Sequence, residues 1–332
     1  MRLRSIFVIL VGTSLVTFLV LVSSTFGDWA AVTDTTDSSH VVTSNKPVVK
    51  SNRLSQSRNE IQTTAGGVIF FFHVIKTGGT TIRDNFRNSS KFPSVQYVLV
   101  NTLQEFRGVQ PKIEERLLRL GANMTTKTLF VELHGRNTPN LLELAPILQN
   151  WKVQAQANQV PFFSFTLLRD PVDFAVSFFN FFHVFGDKRF GRAMPATLEN
   201  LQKTLQWNPQ CIYLVRGERP YFRPSHYYNV THQDCHEAAE SLDNVMDWVG
   251  DTQQLSTETL PLLVKLVTGT APSTEFMDRH IASFNVAATR NQRNKPMSRQ
   301  LLDAATLDMI HTKTQLDQWL LHHSIRRLNT EG

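Results

Sequence analysis

The sequence has little of what marks several protein classes. Its 332 residues include only two cysteines, Cys211 and Cys235, whose number and spacing exclude a CxxC redox pair and a cysteine zinc site. No run of five or more basic residues and no recognisable nucleic-acid module occurs, so nucleic acid is not an expected partner. No internal repeat is present. The net charge of +6 suits an anionic partner but does not choose among nucleotide, polyanion and membrane.

The one long apolar run lies at the N-terminus. Ser5 to Val22 carry no charge, the basic MRLR precedes them, and aspartates follow from Asp28 onward. This charge asymmetry predicts a cytosolic N-terminus and a lumenal remainder. The expected organisation is a cytosolic tail and transmembrane signal anchor over 1–24, a flexible Ser/Thr/Asn/Asp-rich stem over 25–65, and a globular domain over 66–332. Cleavage near Ala30 is the alternative.

Two further features agree with a lumenal compartment. Glycosylation acceptor sequences begin at Asn88, Asn123 and Asn229. In an oxidising lumen, Cys211 and Cys235 are expected to form a disulfide, with two buried free thiols as the alternative.

Apolar runs and helical stretches alternate after residue 66. The predicted strands are 68–72, 95–100, 128–133 and 161–168, with DNVMDWVG (243–250) as a possible further strand. The predicted helices are 80–88, 111–120, 140–158, 171–185, 196–206, 236–242, 257–268 and 299–322. This order predicts an α/β fold, with a P-loop-like, mainly parallel sheet flanked by helices and a more helical C-terminal half.

The segment HVIKTGGTT (73–81) follows the first predicted strand. Gly78 and Gly79 allow a tight turn, and one of the two following threonines can cap the next helix. A helix N-terminus beside a lysine, Lys76, favours a bound anion. A plain strand-to-helix turn is the simpler interpretation.

A second anion motif follows the strand FTLL (165–168). Arg169 comes at the carboxyl end of this strand, where ligands bind in open α/β sheets. Asp170 suits the N-cap of the next helix and Pro171 its first turn, and Ser177 lies two turns further on. An arginine and a hydroxyl can hold a phosphate. Alternatively, Arg169 and Asp170 form a structural ion pair.

Together, HVIKTGGTT and RDPxxxxxS resemble the phosphosulfate and 3′-phosphate motifs of the PAPS-dependent sulfotransferases. HVIKTGGTT and TLLRDPV are most similar to the Golgi heparan-sulfate 6-O sulfotransferases, with the 2-O enzymes as relatives. The resemblance extends more loosely to the C-terminus, through MDWVG, TQLDQWLL and the segment NPQCIYL. In that segment the similar residues are Asn208, Gln210, Tyr213 and Leu214.

The resemblance implies a binding site for the activated sulfate donor PAPS. It assigns the 5′-phosphosulfate to Lys76, Thr77, Gly78, Gly79, Thr80 and Thr81. It assigns the 3′-phosphate to Arg169 and Ser177. The late segment ATRNQRNKP offers Arg293 and Lys295 as further donor-binding residues. A kinase or GTPase is not expected, because its loop lysine would follow the glycines and no Asp is clearly placed to hold Mg²⁺.

Sulfuryl transfer needs a base for the acceptor proton. His134 ends the strand LFVEL on the expected edge of the sheet, and the resemblance implies a catalytic histidine there. Glu132 would share its face, either orienting His134 or acting as the base itself, and a base elsewhere stays open. His73 is interpreted as structural or as lining the loop. No metal is expected, although HQDCH (232–236) contains a His-x₃-His pair.

The resulting expectation is a carbohydrate O-sulfotransferase in the Golgi membrane, single-pass type II, with its catalytic domain in the lumen. The acceptor would be an acidic glycan, and the basic residues near the motifs are candidates to meet it: Arg83, Arg87, Arg136, Lys188, Arg189 and Arg192. The alternatives are a non-catalytic glycan-binding relative and a sulfotransferase acting on a lipid, a small molecule or protein tyrosine. The sequence does not specify the sugar, the hydroxyl or the oligomeric state.

Overall fold

The predicted strands pair into one parallel sheet in the computed structural model of the chain. The strands are β1 Val68–Phe72, β2 Val95–Thr102, β3 Thr128–Asn137, β4 Phe162–Leu168 and β5 Trp248–Asp251. Their spatial order is β2-β3-β1-β4-β5, and every neighbouring pair is parallel. The prediction of a mainly parallel sheet flanked by helices is confirmed.

The structure describes residues 66–88, 90–118, 127–186, 193–217, 230–278 and 296–330. The predicted anchor and stem lie outside these ranges, as do Asn123, Asn229, Arg293 and Lys295. In the part of the chain that the structure describes, no helix has the length and apolarity needed to cross a membrane.

Alternation along β1 explains why the sheet has two buried faces. Val68, Phe70 and Phe72 belong to one apolar cluster, whereas Ile69 and Phe71 belong to another, as a side-chain period of two requires. The strand is buried over its whole length. A strand covered on both faces reads as a continuous apolar run, which is why VIFFF was recognisable from the sequence.

Most helices differ from prediction at their ends, and one, Pro209–Arg216, was not predicted. In chain order they are α1 Gly79–Phe86, α2 Leu103–Leu118, α3 Leu141–Ala157, α4 Pro171–Phe179, α5 Leu198–Thr204, α6 Pro209–Arg216, α7 His232–Val245, α8 Leu260–Thr268, α9 Ala304–Lys313 and α10 Gln315–Thr330. α2 begins eight residues before the predicted start, because Pro111 lies inside the helix and does not open it. The helix predicted over 299–322 is interrupted at Thr314, which separates α9 from α10. The helix predicted to end at 185 turns into a π-helical segment, Asn180–Val184.

The connections leave the sheet in two directions. α1 packs on one face through Ile82 and Phe86, whereas α2 and α3 pack on the opposite face through residues such as Ile113 and Trp151. β1 is therefore followed by a helix on one face, and its neighbour β3 by a helix on the other. Such a divergence opens a crevice at the carboxyl ends of the strands, where ligands bind in open α/β sheets.

Candidate functional site

The loop between β1 and α1 has a backbone that only a few residue types adopt easily. Lys76 lies in the left-handed region with φ 62°, and Gly78, the N-cap of α1, has φ 91°. Gly79 is needed for a different reason: a Cβ there would lie about 2.0 Å from the ring of His73. No side chain caps α1 at Gly78, so the predicted threonine cap is wrong. The amides of the first helical turn are left without a side-chain acceptor.

Thr80 and Thr81 instead lie in the first turn of α1, where Thr80 is exposed and Thr81 half-buried. The Thr77 hydroxyl is buried and donates to the carbonyl of Val74 across 2.6 Å. Thr77 thus stabilises the turn through its side chain, while Thr80 and Thr81 lie at the open end of the helix.

The end of β4 reaches this loop through Arg169. Its Nη1 donates to the backbone carbonyl of Lys76 across 3.0 Å. Asp170 caps α4 by accepting from the amides of Val172 and Asp173, and its Oδ1 also accepts from Arg299 across 2.9 Å. Burial lowers the pKa of the Arg169 guanidinium, and the charges of Asp173, Asp170 and Asp251 oppose that shift. Asp170 therefore acts on Arg169 through its charge while it caps α4 and accepts from Arg299.

Lys76 and Arg169 form a pair of neighbouring cations. Burial, together with the charge of Arg169, lowers the pKa of the Lys76 ammonium from 10.5 to about 8. The Lys76 Nζ lies 3.9 Å from the centre of the Phe181 ring, an aromatic face that favours a cation. Two like charges held together in a partly buried crevice are a site that an anion would stabilise.

Glu132 lies on the same side of the sheet, deep under α1. Its fully buried carboxylate accepts from His73 Nδ1 across 2.7 Å, from the Arg83 guanidinium and from the Tyr97 hydroxyl. Burial raises the pKa of the Glu132 carboxyl, but the hydrogen bonds and charges of His73 and Arg83 outweigh it and hold the pKa below its ordinary value. An ionised carboxylate already saturated with donors is poorly suited to take a proton.

His134 stacks on His73. Their ring centroids are 4.2 Å apart and their planes differ by 24°. The stack follows from register, because Phe72 pairs with Leu133 and the next residues of the two strands are these histidines. Burial lowers the pKa of His73 against the opposing effect of Glu132, and the charges of Arg83 and Lys76 lower it further. His73 is a buried hydrogen-bonding residue that lines the loop, and half-buried His134 is the more accessible ring.

His73, Glu132 and His134 are metal-ligating residue types, and one ligand atom from each lies within 4.8 Å of the others. Glu132, however, already accepts from Arg83 and Tyr97. A cation there would have to compete with the Arg83 guanidinium for the same oxygens. The hydrogen bonds account for this cluster without a metal.

The remaining predicted site residues fall into separate groups. Ser177 is half-buried in the second turn of α4. Asn88 is exposed, and its side-chain oxygen accepts from Ser90. Cys211 and Cys235 are buried and lie at disulfide distance with their Cα atoms 5.6 Å apart, linking α6 to α7. Arg83 points into the Glu132 cluster and donates to that carboxylate, and its contact with an acidic acceptor stays a prediction.

Three features of the site were not foreseen from the sequence. Gln210 hydrogen-bonds the backbone of Arg169. Tyr97 and Arg83 hold Glu132, and only the alternation in VQYVLV hinted that Tyr97 faces the same side. Asp251 ends β5, where its carboxylate accepts from the amide of Gln253 across 2.9 Å. The apolar pattern of the predicted strand ending in WVG indicates that Asp251 lies at a strand end. No local pattern indicates the partners of Gln210.

The chain matches no family model and no curated protein. The residues of the site and the motif resemblance are therefore the basis for inferring a function.

Proposed function

We propose that the protein is a PAPS-dependent O-sulfotransferase acting on a glycan hydroxyl. The observation that carries the proposal is the bond from Arg169 to the backbone of Lys76. It joins the two sequence motifs that resemble those of the sulfotransferases at one edge of the sheet. Two features support a P-loop-like donor site here. They are the cation pair of Lys76 and Arg169 and the N-terminus of α1, which begins after Gly78.

PAPS supplies the sulfuryl group, whose S–O bond to the 5′-phosphate breaks as the acceptor oxygen forms its bond to sulfur. The amides of Gly79 and Thr80 and the Lys76 ammonium would hold the phosphosulfate end, since the Thr81 amide already donates to the Gly78 carbonyl across 3.0 Å. Lys76 would also neutralise the charge that gathers on the phosphate oxygen. Arg169 and Ser177 would hold the 3′-phosphate. Arg293 and Lys295 remain candidates for donor binding from outside the described residues.

His134 is proposed as the base. Phe71 stacks on His73, and His73 stacks on His134. The half-buried ring of His134 is the more accessible of the two histidines. It would take the acceptor proton as the new O–S bond forms. Glu132 would act through His73, holding that ring in place under His134, and would not itself take the proton.

The proposed setting is the lumen of the Golgi, with residues 1–24 as a membrane anchor and residues 25–65 as a stem. The proposed acceptor is an acidic glycan of the heparan-sulfate kind. Its support is the net charge of +6 and the two cations at the crevice.

Transfer of radiolabelled sulfate from PAPS to a panel of acceptors tests this function. The panel should contain heparan-sulfate and chondroitin chains, a neutral glycan, a glycolipid, a phenol and a tyrosine peptide. Label on a glycan is the expected result. Retention of a glycan without labelling would replace the proposal with a binding protein, and label on the lipid, phenol or peptide alone would change the acceptor class.

A further inference from the structure

The side chain of a buried glutamine, Gln210, hydrogen-bonds both the backbone amide and the backbone carbonyl of Arg169. The amide N–H of Arg169 donates to Gln210 Oε1 across 2.8 Å, and Gln210 Nε2 donates to the Arg169 carbonyl across 2.8 Å. The carboxamide thus pairs with a single residue as a neighbouring strand would. Gln210 is only 1% exposed, and its partner is 41 positions away in sequence.

Gln210 is itself fixed by the last described helix. Asp317 in α10 accepts from the backbone amides of Gln210 and Cys211, across 3.0 and 2.8 Å. In return, the amide of Leu316 donates to the Asn208 side chain across 2.9 Å. The start of α6 and the start of α10 therefore cap each other, and this mutual capping sets where the Gln210 side chain emerges.

The residue that Gln210 holds, Arg169, lies at the anion crevice. Arg169 is the first residue after β4, with no ladder partner of its own in the parallel sheet, since Leu168 is the last residue of β4 to pair with β5. Gln210 supplies the two hydrogen bonds that a continuing strand would supply. The guanidinium is then free to reach the Lys76 carbonyl.

We propose that Gln210 is a positioning residue of the anion site: it fixes the backbone of Arg169 so that the guanidinium faces the β1–α1 loop. The inference rests on the proposed function, because it takes the 3′-phosphate as the ligand of Arg169. It assigns a role to NPQCIYL, a segment for which the motif resemblance alone gives none. Asp317 acts one step further back, through Gln210.

Calorimetric titration of the full-length protein with adenosine 3′,5′-bisphosphate tests the inference, with adenosine 5′-monophosphate as the probe that lacks the 3′-phosphate. Gln210→Met keeps the side-chain length and removes both hydrogen bonds. The matched control is Gln202→Met, which removes a half-buried glutamine bonded to Thr306 across 2.7 Å in α9. Gln210→Glu, which keeps the acceptor and loses the donor, serves if the methionine variant does not fold.

We expect Gln210→Met to lower the affinity for adenosine 3′,5′-bisphosphate by roughly 10-fold, because even a small displacement of the Arg169 guanidinium is costly. The affinity for adenosine 5′-monophosphate should stay nearly unchanged. Gln202→Met should bind like the wild type. In an Arg169→Ala background, Gln210→Met should cause no further loss, since the two residues act through one contact. A merely structural role would instead weaken both nucleotides alike and persist in that background.

The outcomes separate the two claims. A wild type that binds the bisphosphate, together with a Gln210→Met variant of equal affinity, overturns the positioning inference alone. A loss that is the same with and without Arg169 also overturns it. A wild type that does not bind the bisphosphate overturns the proposed function and the inference with it.

Discussion

The guanidinium of Arg169 donates to the backbone carbonyl of Lys76, so the end of β4 is tied to the loop after β1. The contact brings a second positive charge against an ammonium whose pKa burial and Arg169 already lower to about 8. The repulsion between Lys76 and Arg169 is unfavourable in the free protein, although Asp173, Asp170 and Asp251 offset part of the Arg169 charge, and a bound anion would relieve it. The tie between these two residues is therefore the structural basis of the proposed donor site.

Lys76 gives the proposed reaction a defined pH dependence. The Lys76 side chain carries its positive charge below about pH 8 and loses it by deprotonation as the pH rises through that value. Because kcat/KM reports ionisations of the free enzyme, kcat/KM for PAPS should fall above about pH 8. Lys76→Arg should move this descending limb to higher pH, since arginine stays protonated.

Two results would count against Lys76. One is a descending limb that stays in place in Lys76→Arg. The other is a Lys76→Ala variant at pH 7 that loses donor affinity and keeps its turnover, because the lysine is expected to act mainly on the departing oxygen.

Glu132→Gln tests whether the glutamate orients or reacts. The substitution leaves Arg83 without its buried counter-charge. It should lower the free energy of unfolding by about 2 kcal/mol, less than for a fully enclosed pair because Arg83 reaches solvent. Turnover should fall less than in His134→Ala. Urea denaturation and kcat at saturating PAPS measure the two effects. Glu199→Gln, in an exposed pair with Lys203, should change neither. A larger kinetic loss in Glu132→Gln than in His134→Ala would make the glutamate the base.

Asp317 should make stability depend on pH in a direction opposite to most carboxylates. Burial raises the pKa of its carboxyl from 3.8 to about 7, with the amides of Cys211 and Gln210 opposing the rise. Between these two pKa values the folded state holds a proton that the unfolded state releases. The stability of the wild type relative to Asp317→Asn should therefore fall with rising pH, by about 1.4 kcal/mol per unit, and level off above pH 7. Urea midpoints at pH 5, 6, 7 and 8 measure this, and a constant difference would contradict it.

The link between Cys211 and Cys235 should stabilise the domain. The two residues are 24 positions apart, a loop for which closing a disulfide contributes about 3 kcal/mol. Replacing both by serine should lower the free energy of unfolding by that amount. Non-reducing peptide mapping should recover the two cysteines in one linked fragment, and two thiols that alkylate in the folded protein would refute the bond.

The parts of the fold that repeat locally could be predicted. VIFFF and TLFVEL became strands because buried parallel strands need mostly apolar side chains on both faces. VQYVLV became the edge strand β2, in which only Val95 and Val100 are buried. The proximity of Lys76 and Arg169 could also be predicted, because both residues follow parallel strands whose carboxyl ends lie at the same edge of the sheet. Asp170 was recognisable as a cap because a capping carboxylate acts within three residues.

The parts that depend on long-range partners could not be predicted. The motif resemblance singles out Gln210 in NPQCIYL but not its partner, because the contact with Arg169 depends on where α6 places the glutamine. Helix ends were harder for a related reason: Pro111 favours a helix start locally, yet packing of Phe106 and Val109 extends α2 before it. The threonine cap was wrong because the N-cap of α1 is Gly78, in the left-handed region, two residues before Thr80.

The most direct measurement is radiolabelled sulfate transfer from PAPS to a glycan by wild type, His134→Ala and His236→Ala, each at saturating donor. His236 is a half-buried histidine beside Glu240 on α7 and serves as the matched control. The wild type and His236→Ala should transfer label at equal rates. His134→Ala should bind adenosine 3′,5′-bisphosphate almost as well and transfer roughly 10²–10⁴-fold more slowly. A wild type that transfers no sulfate, or a His134→Ala enzyme with normal turnover, would contradict the account.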